Sequence, residues 1–153
     1  MQGATPFIRY LTMRMDFNYL IKLFINFPAE EVNMESVNLL KKFSKISDYW
    51  HPYIVGELND NYIKLAIVKG EFVWHQHDDE DELFVVQKGT LYIDFKDKTV
   101  EVKTGEILTV PRGVEHRPHT NGEEVFLMLI EPKNTKHTGE LKTEMTVEQL
   151  EWI

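Results

Sequence analysis

The spacing of apolar and polar side chains changes period near residue 53. From there onward apolar residues recur at every second position over 53–58, 62–68, 71–77, 83–87, 90–95, 99–102, 107–110 and 125–131. Successive side chains of a strand face opposite ways, so this alternation predicts half-buried strands. Turn formers punctuate them: Asn59, Asp60 and Asn61, then Lys69 with Gly70, Lys88 with Gly89, Lys96, Asp97 and Lys98, Thr104 with Gly105, and Asn121 with Gly122. Short strands at such regular spacing predict an all-β sandwich or barrel.

Ahead of residue 53 the pattern is helical. Residues 34–46 place Val37, Leu40, Phe43 and Ser47 near one stripe, with Leu39 and Ile46 beside it, and predict a short helix. His51 and Pro52 end it, because a residue before proline avoids the helical region. At the other end Thr146, Val147, Glu148 and Gln149 form a capping box, which predicts one short C-terminal helical turn carrying Leu150, Trp152 and Ile153.

Residues 1–33 are a separate apolar arm, set against a single domain over 34–153. Arg9, Arg14, Asp16 and Lys22 interrupt the arm's apolar side chains, and a bilayer span needs about 20 apolar residues in sequence. Neither a membrane helix nor a signal peptide is expected, and a cytoplasmic location follows. The arm is expected to pack on the domain or on a partner subunit, or to be an extension ahead of a start at Met34.

Composition narrows the chemistry. The chain has 153 residues, no Cys, six His, and 17 Lys plus Arg against 25 Asp plus Glu, for a net charge of −8. Without Cys there is no disulfide framework, thiol nucleophile or iron–sulfur cluster. An acidic balance disfavours nucleic-acid and membrane-surface partners. The arm's charges cancel (Arg9, Arg14 and Lys22 against Asp16, Glu30 and Glu31), so the whole −8 lies in 34–153. Any metal must be held by imidazole and carboxylate.

Residues 73–86 supply such groups. On a strand Val73, His75 and His77 share one face, while Phe72, Trp74 and Gln76 share the other. In the next strand Glu82, Phe84 and Val86 share a face. If the two strands are neighbours, two imidazoles and a carboxylate converge, a set suited to a divalent transition metal. His116, after the turn formed by Pro111 and Gly113, is a candidate fourth ligand. Asp78, Asp79, Glu80 and Asp81 read as a solvated turn, lacking the glycine and spacing of a calcium loop. His119 and His137 are expected at the surface, His51 as structural, and Trp74 as packing between sheets or subunits.

These residues resemble the cupin superfamily. His75-x-His77-x4-Glu82-x6-Gly89 follows its first motif, with Gly70 one residue closer than usual. Gly105-x5-Pro111-x-Gly113-x2-His116 follows its second, with Thr120 where the family has Asn. The motifs lie within 70–89 and 105–121, and the resemblance spans about 53–132. It implies a double-stranded β-helix, or jelly roll, of the small single-domain type loosely labelled mannose-6-phosphate-isomerase-like. It further implies metal ligation by His75, His77, Glu82 and His116, and a homodimer in which the N-terminal arm takes part.

One divalent ion per chain is therefore expected: Fe, Mn, Ni or Zn. The functions that follow are a metal-dependent enzyme of dioxygenase or isomerase/lyase type, a non-catalytic small-molecule binding or sensing protein, or a metal used as a structural staple. By phase, Val73, Phe84, Val86 and Pro118 line the pocket, and Arg112 and Arg117 point elsewhere. An apolar lining beside an acidic turn favours a small oxygenated ligand without high negative charge over a phosphosugar.

Overall fold

The computed structural model describes residues 35–153. The N-terminal arm of residues 1–33 lies outside the described residues. Helix α1 spans Leu39–Phe43, and eight strands follow: β1 Tyr53–Leu58, β2 Asn61–Val68, β3 Glu82–Lys88, β4 Thr90–Asp94, β5 Thr99–Lys103, β6 Ile107–Val110, β7 Arg117–His119 and β8 Val125–Pro132. Two antiparallel sheets result, one in the order β1-β2-β8-β3-β6 and one in the order β5-β4-β7. This is the all-β architecture that the alternation predicts, in the jelly-roll form that the cupin resemblance implies. Among the described residues no helix is long and apolar enough to cross a membrane.

The principal core lies between the sheets. Ala66 and Val68 of β2, Phe84 and Val86 of β3, Leu127 and Leu129 of β8 meet Leu91, Ile93 and Val102 of the smaller sheet. A second cluster covers the outer face of the larger sheet, where Phe43 and Ile46 pack on Val55, Leu65 and Ile67. Strand β2 is thus buried on both faces, which accounts for its nearly continuous apolar run.

Three local differences from the sequence expectations have physical causes. Helix α1 is shorter than 34–46. The Asn38 side chain accepts from Lys41 N at 3.0 Å to start it, and Ser44 Oγ donates to Lys41 O at 2.9 Å at its end. Of the predicted stripe, Phe43 and Ile46 are buried, whereas Val37 and Leu40 are exposed.

The C-terminal helical turn does not form. Thr146 Oγ1 is engaged on the side preceding it, accepting from Thr143 N at 2.9 Å and meeting Thr138 Oγ1 at 3.0 Å. The last residues instead run beside β1, with Ile54 N donating to Glu151 O at 2.8 Å and Ile153 N to Ile54 O at 3.2 Å. That pairing covers part of an otherwise open sheet edge.

Residues 71–77 are not a continuous strand. They run antiparallel to 113–120 through Thr120 N to Gly70 O, Phe72 N to Pro118 O, the reciprocal pair of His75 and His116, and Gly113 N to His77 O. Between the second and third of these links one chain advances three residues and the other two, which is a β-bulge. Pro118 has no N–H to continue the ladder. The bulge turns Phe72 inward together with His75 and leaves Val73 half-buried.

Candidate metal centre

Three separate elements position the candidate ligands. His75 and His77 come from the bulged segment, Glu82 from the first residue of β3 in the other sheet, and His116 from the residue before β7. Convergence thus occurs across the two layers, and the His75 segment neighbours the His116 segment, not β3. His75, His77, Glu82 and His116 are all at most 5% exposed.

The geometry centres on one carboxylate oxygen. His116 Nε2 lies 3.1 Å from Glu82 Oε2, His77 Nε2 3.3 Å and His75 Nε2 3.9 Å. Ligand atoms of His75, Glu82 and His116 all fall within 4.8 Å of one another, and His77 joins them through Glu82. Two ligands at right angles on an ion with bonds of about 2.1 Å stand about 3.0 Å apart, so the spacings fit a shared cation after small adjustments.

The ring tautomers fit as well. His75 Nδ1 lies 3.0 Å from Val73 O and His116 Nδ1 3.0 Å from Val114 O. A carbonyl only accepts, so both Nδ1 atoms carry the proton, and a second-partner bond of this kind orients a ligating histidine. The Nε2 atoms of His75 and His77 are buried with no hydrogen-bond partner. His116 Nε2 faces a carboxylate, so a proton or a metal ion must stand between them. Orphaned imidazole nitrogens converging on a buried carboxylate fit a divalent ion.

Electrostatics agree with that charge pattern. Burial pushes the His75 imidazole down to about 4 despite the pull of Glu82. Burial would also raise Glu82, but the neighbouring imidazoles of His116 and His77 outweigh it and hold the carboxyl at about 2. His77 is raised, because Glu82 more than offsets its burial. A neutral His75 and an ionised Glu82 are the forms that ligate.

Beside the cluster lies a cavity of about 40 Å³. Its walls are Trp50, Pro52, Phe72, Phe84, Pro118, Leu127 and Leu129, with His75, Glu82, Glu131 and His137 as polar members. Trp50 stacks on Phe72 at 4.9 Å, and its Nε1 donates to Lys69 O at 2.8 Å. Phe84 and Pro118 border this space. Val86 lies one layer deeper in the core, fully buried. Val73 contributes only its carbonyl to His75, because the bulge gives its place to Phe72. Neither valine is among the residues that line this cavity. His77 faces a separate groove of about 630 Å³ shared with Asp78, Asp79 and Glu80, which gives that side an acidic approach.

The other histidines divide. His119 lies away from the cluster, 3.3 Å from Asp94 and stacked on Tyr92. His137 borders the cavity instead of the surface. Its Nε2 lies 2.8 Å from Met145 O, and burial lowers its affinity for a proton. Arg117 points outward to Asp94 and Glu71 with its guanidinium over Trp74.

Sequence reasoning missed the buried pair Lys64–Glu131, joined at 3.1 Å. Burial and the charge of Glu82 push the Glu131 carboxyl up to about 7, with Lys64 opposing. The available signal was the alternation of β8, in which Val125, Leu127, Leu129 and Glu131 share the inward face. Lys64 holds the same phase as Ala66 and Val68.

Comparison with known proteins places this arrangement among its relatives. Residues 65–131 match the cupin domain family model. An uncharacterized Bacillus subtilis (strain 168) protein, YdbB, is 42% identical over 81 residues, 52% of this chain and 72% of its own. The crystal structure of a cupin-2 domain containing protein from Shewanella frigidimarina NCIMB 400 is similar at 45% identity and TM-score 0.62, covering 63% of this chain and 94% of that one. A Neisseria meningitidis protein of known structure is 30% identical with TM-score 0.59, over 65% of this chain and 100% of its own. Identity of 42% and 45% over 72% and 94% of these relatives' lengths, on a two-sheet barrel carrying both histidine motifs, makes this chain a member of the cupin family.

Proposed function

We propose that the chain is a metal-dependent cupin enzyme, of dioxygenase or isomerase/lyase type, acting on a small oxygenated molecule without high negative charge. His75, His77, Glu82 and His116 hold one divalent ion, Fe, Mn, Ni or Zn. The observation that carries this reading is the set of partnerless Nε2 atoms of His75 and His77, turned with His116 onto Glu82 Oε2 in a buried site. An ion bound there supplies Lewis-acid or redox chemistry to an oxygen of the substrate. The protein's own part is to fix the imidazoles through the Val73 and Val114 carbonyls, and to keep water few through the Trp50, Phe72 and Phe84 walls. The acidic turn beside His77 disfavours an anionic substrate.

The test is turnover by protein reconstituted with Fe(II), Mn(II) or Ni(II). Oxygen uptake and product formation are followed across small catechols, diketones and hydroxyketones. Turnover in the native protein and its loss in His116→Ala support the proposal. Binding of these molecules without turnover by any metal form would make the protein a binding or sensing cupin instead. Failure to take up metal would overturn the assignment at its root.

A further inference from the structure

Lys64 and Glu131 break the apolar inner face of the larger sheet at one point. They come from the adjacent strands β2 and β8, in a register that pairs Lys64 with Leu129 and Glu131 with Tyr62. The two side chains are therefore diagonal neighbours. They are 0% and 1% exposed, and Nζ stands 3.1 Å from Oε1. Lys64 Nζ, Glu131 Oε1 and Glu131 Oε2 are all buried without a completed hydrogen bond.

Burying two charges costs several kcal/mol per ion, and apolar residues of similar volume often serve a fold as well or better. The neighbouring inward residues Ala66, Val68, Leu127 and Leu129 are such residues. A purely structural role leaves the unspent donors and acceptors unexplained. The location of Glu131 explains its share of them, because it borders the same cavity as His75 and Glu82, with Lys64 behind it.

We propose that Glu131, held in place by Lys64, is a ligand-binding residue, the second polar pole of this cavity, which takes the hydroxyl of a small uncharged hydroxycarbonyl compound. This inference rests on the proposed metal centre for the first pole, where the other oxygen is held. The chemistry of the pair selects the class. A hydroxyl can donate, so it gives its hydrogen bond to a Glu131 oxygen, which a ketone cannot do. A carboxylate or phosphate is rejected, because Glu131 and Glu82 both face it. A ketone without the hydroxyl leaves the pair unsatisfied, which is where polar sites discriminate most strongly. The cavity of about 40 Å³ admits about three or four water-sized groups at roughly 10–15 Å³ each. That is room for the hydroxyl-bearing end of such a molecule.

The experiment titrates hydroxyacetone and acetone into the full-length protein, metal-free and Zn(II)-loaded. Binding is followed by NMR of the Leu127 and Leu129 methyl groups, and metal content is measured on the same samples. The native protein should bind hydroxyacetone about tenfold or more tightly than acetone, the value of one charge-assisted hydrogen bond. Glu131→Gln should keep the Zn(II) stoichiometry and lose that preference. The double variant Lys64→Met/Glu131→Leu removes both charges together and is expected to fold, to bind Zn(II), and to show no preference. Equal binding of the two probes by native protein, or an unchanged preference in either variant, overturns the proposal. Absence of stoichiometric Zn(II) in native protein would instead refute the metal centre. The hydroxyacetone preference of the metal-free samples would still decide the role of the pair.

Discussion

Replacing Glu82 by Gln tests the core of the site with the least change of shape. The substitution keeps the size of the side chain and one acceptor oxygen, and removes the charge. In the native protein Glu82 Oε2 meets His116 Nε2 at 3.1 Å and His77 Nε2 at 3.3 Å. Hydrogen bonds to a charged group contribute about 1.5–3 kcal/mol each, and breaking a buried charged pair costs about 3–5 kcal/mol. The metal-free variant should thus lose about 3 kcal/mol. The metal response is the sharper readout. At a free metal concentration of about 100 times Kd the native protein gains about 2.7 kcal/mol. At roughly 4 °C per kcal/mol for a domain of this size, that raises Tm by about 10 °C. Scanning calorimetry with and without Ni(II), Mn(II) or Zn(II) should show this rise in native protein and its near-complete loss in Glu82→Gln. A variant whose Tm rises with metal as much as the native protein's would refute the assignment of Glu82 as a ligand.

Other consequences can be checked with the same instruments. Phe72→Ala should cost about 3–5 kcal/mol and Val73→Ala at most about 1 kcal/mol; the reverse order in denaturant melts would contradict the bulge that exchanges their places. Gly139 has φ of +58°, and a Cβ there would overlap the Gln76 carbonyl oxygen. Gly139→Ala should cost about 1–3 kcal/mol and speed hydrogen exchange over 133–146, and unchanged exchange would sink that expectation. Metal-free protein should also lose stability in acid. His75 stays neutral down to about 4 against an ordinary 6.5, so the unfolded chain binds the extra proton and stability falls as pH drops through that window. Glu82, held at about 2 against 4.5, acts in the same sense below pH 4.5. Glu131 opposes them, since its carboxyl at about 7 against 4.5 makes its contribution disappear as pH rises through that range. A Tm that climbs between pH 4.5 and 3 would contradict these assignments.

Most of the barrel can be read directly from residues. The strand bounds read at 53–58 and 107–110 coincide with β1 and β6, because the flanking turns are marked. Gly89 between β3 and β4 has φ of +87°, and a Cβ there would stand 2.9 Å from Glu124 O, so the turn demands the residue found. The residues that converge at the candidate site are equally legible, since two histidine motifs fix both residue types and spacing. What period-two reasoning could not supply is the bulge at residues 72–75. An inserted residue shifts the phase without changing composition, and Phe72 and Val73 are both apolar. The missing C-terminal turn has a similar origin. Thr146 has the signature of a cap, but its hydroxyl is taken by Thr143 and Thr138, partners that only the folded loop brings near. Lys64 went unnoticed because a lysine inside an apolar run is ordinarily read as solvated. Its partner lies 67 positions on, in β8, and becomes a neighbour only through the β2–β8 pairing.

The most direct measurement is the metal content of untagged protein purified without added metal, combined with anomalous diffraction at the absorption edge of the ion found. The account predicts one divalent transition ion per chain, with an anomalous peak about 2.0–2.2 Å from the Nε2 atoms of His75, His77 and His116 and from a Glu82 oxygen. A His75→Ala/His77→Ala double variant should lose that ion. Substoichiometric metal in native protein that reloading does not correct, or a peak bound elsewhere, would contradict the account.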